Sequence, residues 1–281
     1  MLESLRSGHH TIHMDNIVPA GPIAAMTPSA TPLNPRKRGI IVGASSGIGA
    51  SLARRLAAEA YLLVLIARRA DPLNSLADEI NQAAGERRAV PIVHDVRNHQ
   101  ESEPLLRRAV ATLGGLDLFV YAAGVNRPVR LDQYDIELDR EMLEINLLGA
   151  RAWLGPVASM FQSARSGHIV GISSVAGDRG RVGNPAYGSS KAGLSTYLEA
   201  LRNRLSRHGV SVLTVKPGHV RTAQLAAAAR QLFPIPAEQA AEDIWRAIRR
   251  GSQQIYTPAW WALLMFVVRH MPSILFRRLS F

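Results

Sequence analysis

The sequence predicts an α/β fold, a three-layer doubly wound parallel sheet in a single domain. Three observations predict it. Six short apolar runs alternate with longer amphipathic stretches, as strands alternate with helices when a parallel sheet is covered on both faces. The intervals between runs are long enough for right-handed crossovers. A glycine-rich turn stands between the first run and the first helical stretch, and 281 residues with 47% hydrophobic side chains can fill one sizeable core.

Residues 1–35 hold repeated Pro, Gly, Ser, Thr and His without periodicity and read as a flexible leader. Lacking a basic start followed by an apolar stretch, the leader is a poor secretory signal; an over-long start or a cloning remnant fits it as well, and Met14 or Met26 are alternative starts. The body, 36–258, opens with a strand at Gly39–Val42 and a helix at Ile48–Glu59. A strand at Tyr61–Ala67 is followed by a helix at Asp71–Ala84, and a strand at Ala89–His94 by a helix at Gln100–Leu113. The fourth strand, Leu116–Tyr121, leads into one long helix over Glu137–Gln162. The fifth, His168–Ser173, precedes a helix at Tyr187–His208, and Ser211–Val215 is the sixth.

Composition removes whole classes of function. Cysteine is absent, which excludes disulfides, thiolate metal sites and cysteine nucleophiles and is compatible with a reducing cytosol. The nine histidines form no ligand pattern, so no metal is expected. The net charge of +11 is regional: after Asp243 there is no acidic residue, while Arg246, Arg249, Arg250, Arg269, Arg277 and Arg278 follow. No nucleic-acid recognition module accompanies that charge. Residues 259–281 form a basic apolar tail in which Ala259–Val268 is an unbroken apolar run, too short for a membrane span and followed by Pro272. The tail is expected either to lie on a membrane surface or to pack on the core or on a second subunit.

Gly43, Ser45, Ser46, Gly47, Ile48 and Gly49 run from the end of the first strand into the first turn of the first helix. There a tight turn, a close backbone approach and the free N–H groups of a helix start suit a dinucleotide pyrophosphate. No Gly-Lys-Ser/Thr follows, which excludes a P-loop. The second strand ends in Ala67, Arg68 and Arg69, with no carboxylate before Asp71. A guanidinium there, Arg68, is placed to pair with the 2′-phosphate of NADP, so NADP(H) is expected over NAD(H). Asp95 and Val96, after the third strand, sit where an adenine amino group is read, although an exposed turn Asp is the competing account.

Tyr187 and Lys191 stand four residues apart at the start of a helix and point to one face. An ammonium beside a phenol stabilises phenolate and is expected to lower the phenol's pKa toward the working range. With six Tyr and three Lys in the chain, this spacing arises by chance only about 0.06 times. Ser174, thirteen residues upstream and just past the fifth strand, can meet the same substrate oxygen, whereas Ser173 should point away. Asn146 is a polar residue in an apolar helical stretch, to be satisfied by partners or by water toward Lys191.

Taken together, the glycine turn, Asp95, Asn146, Ser174, Tyr187, Lys191 and the run Pro217 to Thr222 resemble, in order, the short-chain dehydrogenase/reductase family over about residues 36–258. The resemblance implies a Rossmann fold, with Tyr187 as general acid/base and Lys191 on the nicotinamide ribose. It also implies that Ser174 orients the carbonyl and Asn146 supports a proton relay. Pro217, Gly218, Val220 and Thr222 resemble the segment that holds the nicotinamide. Two departures stand out: Val42 replaces the usual Thr, and Tyr121, Ala122, Ala123 and Gly124 replace Asn-Asn-Ala-Gly, which removes an amide that ties neighbouring strands. Relatives of this kind are often homo-oligomers. The substrate segment, Ala223–Pro236, is an apolar lid over Ala226–Ala229, so a small hydrophobic, even lipid, carbonyl or alcohol is expected. The competing function is a catalytically silent NADP-binding sensor or membrane scaffold. The expected location is cytoplasmic, with peripheral membrane association where the tail meets lipid.

Overall fold

A computed structural model describes residues 37–222 and 233–278. The leader at 1–35 and the proposed lid helix at 226–229 lie outside the described residues. The strands are β1 (Arg38–Val42), β2 (Leu62–Ala67), β3 (Ala89–Val93), β4 (Leu118–Tyr121), β5 (Gly167–Ile172) and β6 (Val210–Pro217), with β7 (Val220–Arg221), β8 (Ile235–Pro236) and β9 (Gln254–Thr257) beyond them. The helices are α1 (Gly47–Ala58), α2 (Ala70–Ala84), α3 (Ser102–Leu113), α4 (Ile136–Leu143), α5 (Gly149–Ala164), α6 (Pro185–Leu205), α7 (Ala237–Arg249), α8 (Trp261–His270) and α9 (Ser273–Phe276).

One seven-stranded sheet runs in the order β3-β2-β1-β4-β5-β6-β9 with every pairing parallel. Side chains alternate across it because strand periodicity is two. Ile41, Leu63, Leu65 and Val120 meet α1, α2 and α7 in one core layer, while Ile40, Phe119 and Tyr121 are fully buried on the other side. The strand order reverses between β1 and β4, and such a switch point opens a crevice at the carboxyl ends of the strands.

Three departures from the expected elements have physical reasons. β9 is a four-residue edge strand whose first residue is exposed, too short and too polar at its start to register as an apolar run. α7 was not expected because its inner face is largely alanine, Ala237, Ala240, Ala241 and Ala247 beside Ile244, Trp245 and Ile248. The single helix expected over Glu137–Gln162 is broken into α4 and α5 by a π-helical turn at Glu144–Leu148. π turns mark functional sites in helices, and this one carries the buried Asn146.

Candidate active site

The crevice holds a cavity of about 440 Å³. Gly43, Ser45, Ser46, Gly47, Ile48 and Gly49 line it from the β1–α1 turn, Arg68 follows β2, and Asp95 and Val96 follow β3. Gly124 follows β4, Ser174 follows β5, Tyr187 and Lys191 come from α6, and Pro217, Gly218, Val220 and Thr222 come from the β6–β7 segment. The topology thus gathers every residue singled out above around one space, with Asn146 lying just behind its wall.

The phosphate end is built from backbone. Gly43 turns with φ +93°, and a Cβ on Gly49 would collide with the Gly43 carbonyl, so α1 starts as close to β1 as backbone permits. Ser46 occupies the N-cap of α1 but makes no side-chain cap. Its Oγ accepts instead from Arg69 Nη2 at 2.6 Å, and Ser45 Oγ accepts from the same nitrogen at 3.1 Å. The first amides of α1 therefore keep their free donors toward the cavity, with no acidic residue in the first turn. Glycine cradle, open helix start and guanidinium together fit a dinucleotide.

Arg69 was not among the residues singled out for cofactor contact; only its Arg-Arg context signalled it. Arg68 is about half exposed and stands 3.7 Å from Asp95. The Asp95 carboxylate accepts from the Arg97 backbone N–H at 3.0 Å and from Arg97 Nη2 at 2.6 Å. Hydrogen bonds from Arg97 hold that carboxyl at about 2. Asp95 therefore anchors arginines at this end of the cavity.

At the opposite end α6 opens on Pro185, and the Asn184 side chain accepts from the Tyr187 N–H at 3.0 Å. Asn184 Nδ2 also donates to the Arg127 carbonyl at 2.7 Å, tying the helix start to the loop after β4. Lys191 is buried and donates to the Ile172 carbonyl at 3.0 Å, with its Nζ 5.9 Å from the centre of the Tyr187 ring. Burial pulls the Lys191 ammonium down to about 8. The Tyr187 phenol is pushed up by burial, partly offset by hydrogen bonding with Ser174 and by the charge of Arg181. The expected lowering of the phenol by Lys191 is thus not what the resting site holds. Desolvation of the ring outweighs the nearby charges, and the lysine is itself desolvated and committed to a carbonyl.

Ser174 caps the short turn Val175–Gly177, its Oγ accepting from the Ala176 N–H at 3.1 Å. Ser173 points into α6, where its Oγ donates to the Lys191 carbonyl at 2.8 Å. Asn146 has protein partners. Its Oδ1 accepts from the Val125 N–H at 2.8 Å, and its Nδ2 donates to the Val125 carbonyl at 2.9 Å and to Ser190 Oγ at 3.0 Å. Beneath it Tyr121, one of the two departures, donates its hydroxyl to the Ile145 carbonyl at 2.6 Å, an acceptor inside the π turn. Tyr121 thus ties β4 to the helix, while the amide missing at the Ala122 position leaves no polar side chain there to tie the strands. Tyr121→Phe is expected to cost about 1–3 kcal/mol, since it strands a buried carbonyl. Urea unfolding with an unchanged slope checks this.

The C-terminal helices also reach the site. Trp261 packs on Gly218 so closely that a Cβ there would collide with the indole, and Met265, Val268 and Phe276 join it against Val175. One face of the tail therefore packs on the body beside two cavity segments.

A family model for short chain dehydrogenases matches residues 37–232. An uncharacterized oxidoreductase of Myxococcus xanthus (strain DK1622) is 35% identical over 241 residues, 84% of this chain and 93% of that one. An uncharacterized oxidoreductase of Mycobacterium tuberculosis (strain ATCC 25618 / H37Rv) is 31% identical over 247 residues, 87% and 98% of the two chains. A variant of actinorhodin polyketide ketoreductase solved with NADPH aligns with TM-score 0.71 and 26% identity, over 78% of this chain and 95% of that one. A short-chain dehydrogenase from Streptomyces avermitilis, at TM-score 0.70 and 24% identity over 78% and 88%, shares the fold. With the glycine cradle, the switch-point cavity and this match over most of its length, the chain belongs to the short chain dehydrogenase family of oxidoreductases.

Proposed function

We propose that this oxidoreductase reduces a carbonyl of a small hydrophobic substrate and takes NADPH in preference to NADH. The observation that carries this reading is the pairing of two parts of one cavity: Arg69 on the serines of the phosphate turn with Arg68 beside it in the lining, and a protonated phenol beside Ser174. When bound, a reduced nicotinamide supplies the hydride. The chain's own residues do the rest. Ser174 and Tyr187 donate to the oxygen on which negative charge grows, and Tyr187 yields its proton to it. Lys191, held by the Ile172 carbonyl beside the Tyr187 ring, would hold the nicotinamide ribose when the cofactor is bound. Asn146 fixes the loop at Val125, which lines the cavity beside Lys191.

A purified-enzyme assay of NADPH oxidation across 3-ketoacyl lipids, ketosteroids, retinoids and sugar ketones tests the reading; activity confined to the sugar ketones would contradict the apolar substrate. The cofactor preference rests on the absence of a carboxylate after β2 and on Arg68 and Arg69 in its place. Charge-assisted hydrogen bonds are worth about 1.5–3 kcal/mol. Replacing both arginines with alanine is therefore expected to raise the KM for NADPH about tenfold to hundredfold and to leave that for NADH nearly unchanged. Equal affinity of the unaltered enzyme for NADH and NADPH would contradict the preference.

A further inference from the structure

α8 and α9 are apolar on two faces. Inward, Trp261, Met265, Val268 and Phe276 are buried on the body. Outward, Leu263 is 72% exposed, Phe266 62%, Val267 50%, Ile274 66% and Leu275 53%, with Trp260 at 40% on the margin. At about 100° per residue, Leu263, Phe266 and Val267 fall on the side of α8 opposite Trp261, Met265 and Val268. On α8 the exposure is therefore a face and not scattered single residues, which marks a contact surface, and Ile274 and Leu275 of the following α9 are exposed as well.

Charge selects the occupant. The arginines of this segment, Arg269, Arg277 and Arg278, are exposed, and no acidic residue follows Asp243. A second copy meeting this face across a two-fold axis would set the same patch against itself. That would bring like-charged arginines together with no carboxylate from the segment to pair them. An anionic bilayer offers what the face lacks, hydrocarbon for the outward side chains and negative headgroups for the arginines. α8 is ten residues long, and among the described residues no helix is long and apolar enough to cross a membrane, so such contact lies in the plane of the interface.

We propose that the outward face of α8 and α9 docks the protein on an anionic lipid surface. The proposal goes beyond the reductase reading and does not depend on it. It does give that reading a route. Trp260 stacks on Trp261 at 4.6 Å between ring centres, and Trp261 packs on Gly218 in the cavity wall, so apolar surface runs from the docked face to the site. An apolar substrate dissolved in the bilayer would meet the protein on the side where Trp261 backs Gly218 of the cavity wall.

Truncation at Ala259 would strip Trp261 from Gly218 along with the outward face, so the test keeps the helices and changes only outward side chains. The full-length chain is sedimented with vesicles of equal parts phosphatidylglycerol and phosphatidylcholine. It is expected to bind them, to bind phosphatidylcholine vesicles far less, and to release as salt rises. Leu263→Ser with Phe266→Ser, and separately Arg277→Glu with Arg278→Glu, are each expected to weaken binding about tenfold or more. NADPH affinity, read by nucleotide fluorescence, is expected to stay the same in both, which separates loss of docking from loss of the fold. A full-length chain that stays in the supernatant with the anionic vesicles, or a serine pair that binds as tightly as the unaltered protein, overturns the proposal. So does a dimer in solution that the serine pair converts to monomer, which would assign the face to a second copy.

Discussion

Replacement of Tyr187 with phenylalanine is expected to slow carbonyl reduction by about 10²–10⁴-fold, the range that general acid catalysis contributes. NADPH binding should survive, because the ring stays and only the hydroxyl goes. The phenol is pushed upward by burial, so at neutral pH it is the protonated donor that reduction requires. Reduction therefore needs no ionised tyrosine beforehand; it needs the charge left behind to be tolerated. Lys191 and Arg181 supply that tolerance at the moment of transfer.

This fixes the sign of the pH dependence. Lys191 titrates at about 8 in the free enzyme. As pH rises through that value the buried ammonium becomes neutral, and the phenolate left by proton transfer loses a neighbouring cation. The kcat/KM of reduction, which reports the free enzyme, is thus expected to be level through neutral pH and to fall above about 8. A profile that rises through 8, or a Tyr187→Phe enzyme with undiminished turnover, would remove Tyr187 as the acid. A silent NADP sensor differs in one respect: it binds cofactor and turns over nothing in either form.

The legible part of this site was the part set by local spacing. Tyr187 and Lys191 share a helix face because they are four apart, and Gly43, Gly47 and Gly49 mark a strand-to-helix turn whatever lies around them. Apolar runs located six of the seven strands of the main sheet; β9 escaped because an edge strand of four residues is only half apolar. What stayed hidden are pairings that only topology creates. Arg69 reaches back across 23 residues to Ser46, and Asn146 spends its amide on Val125 and Ser190. The phenol's raised pKa was hidden for the same reason, since burial is a property of the fold and not of the spacing. Lys216 was visible as one of three lysines and as the neighbour of Pro217, but its partner lies 38 residues away.

That partner is Asp178, and breaking the pair is expected to produce the largest stability loss argued for this protein. Lys216 Nζ lies 2.6 Å from Asp178 Oδ1, with side-chain exposures of 7% and 2%. Tyr256 donates to Asp178 Oδ2 at 2.7 Å, and burial with that carboxylate pushes its phenol up to about 12, so it remains a donor across the working range. Three segments meet here: the turn capped by Ser174, the strand end leading to Pro217 and Gly218, and β9. Next to Asp178, Arg179 donates to the carbonyls of Val268 and Met271 and lies over the Phe276 ring, which extends the junction to the C-terminal helices. Lys216→Met leaves a buried carboxylate facing an apolar chain, and removing one partner of such a pair costs about 3–5 kcal/mol. For a chain of this size that is a fall in Tm of roughly 10 °C. Pairing Lys216→Met with Asp178→Leu removes both charges and should recover most of the loss, giving a strongly non-additive double-mutant cycle. The catalytic readout should not recover in step. With Asp178 gone, the turn that holds Ser174 loses its tie to the Pro217–Gly218 segment, so kcat should stay low while the KM for NADPH moves little. A single Lys216→Met enzyme within about 1 kcal/mol of the unaltered protein would show that the junction does not hold the fold, and full kcat in the double variant that it does not place Ser174.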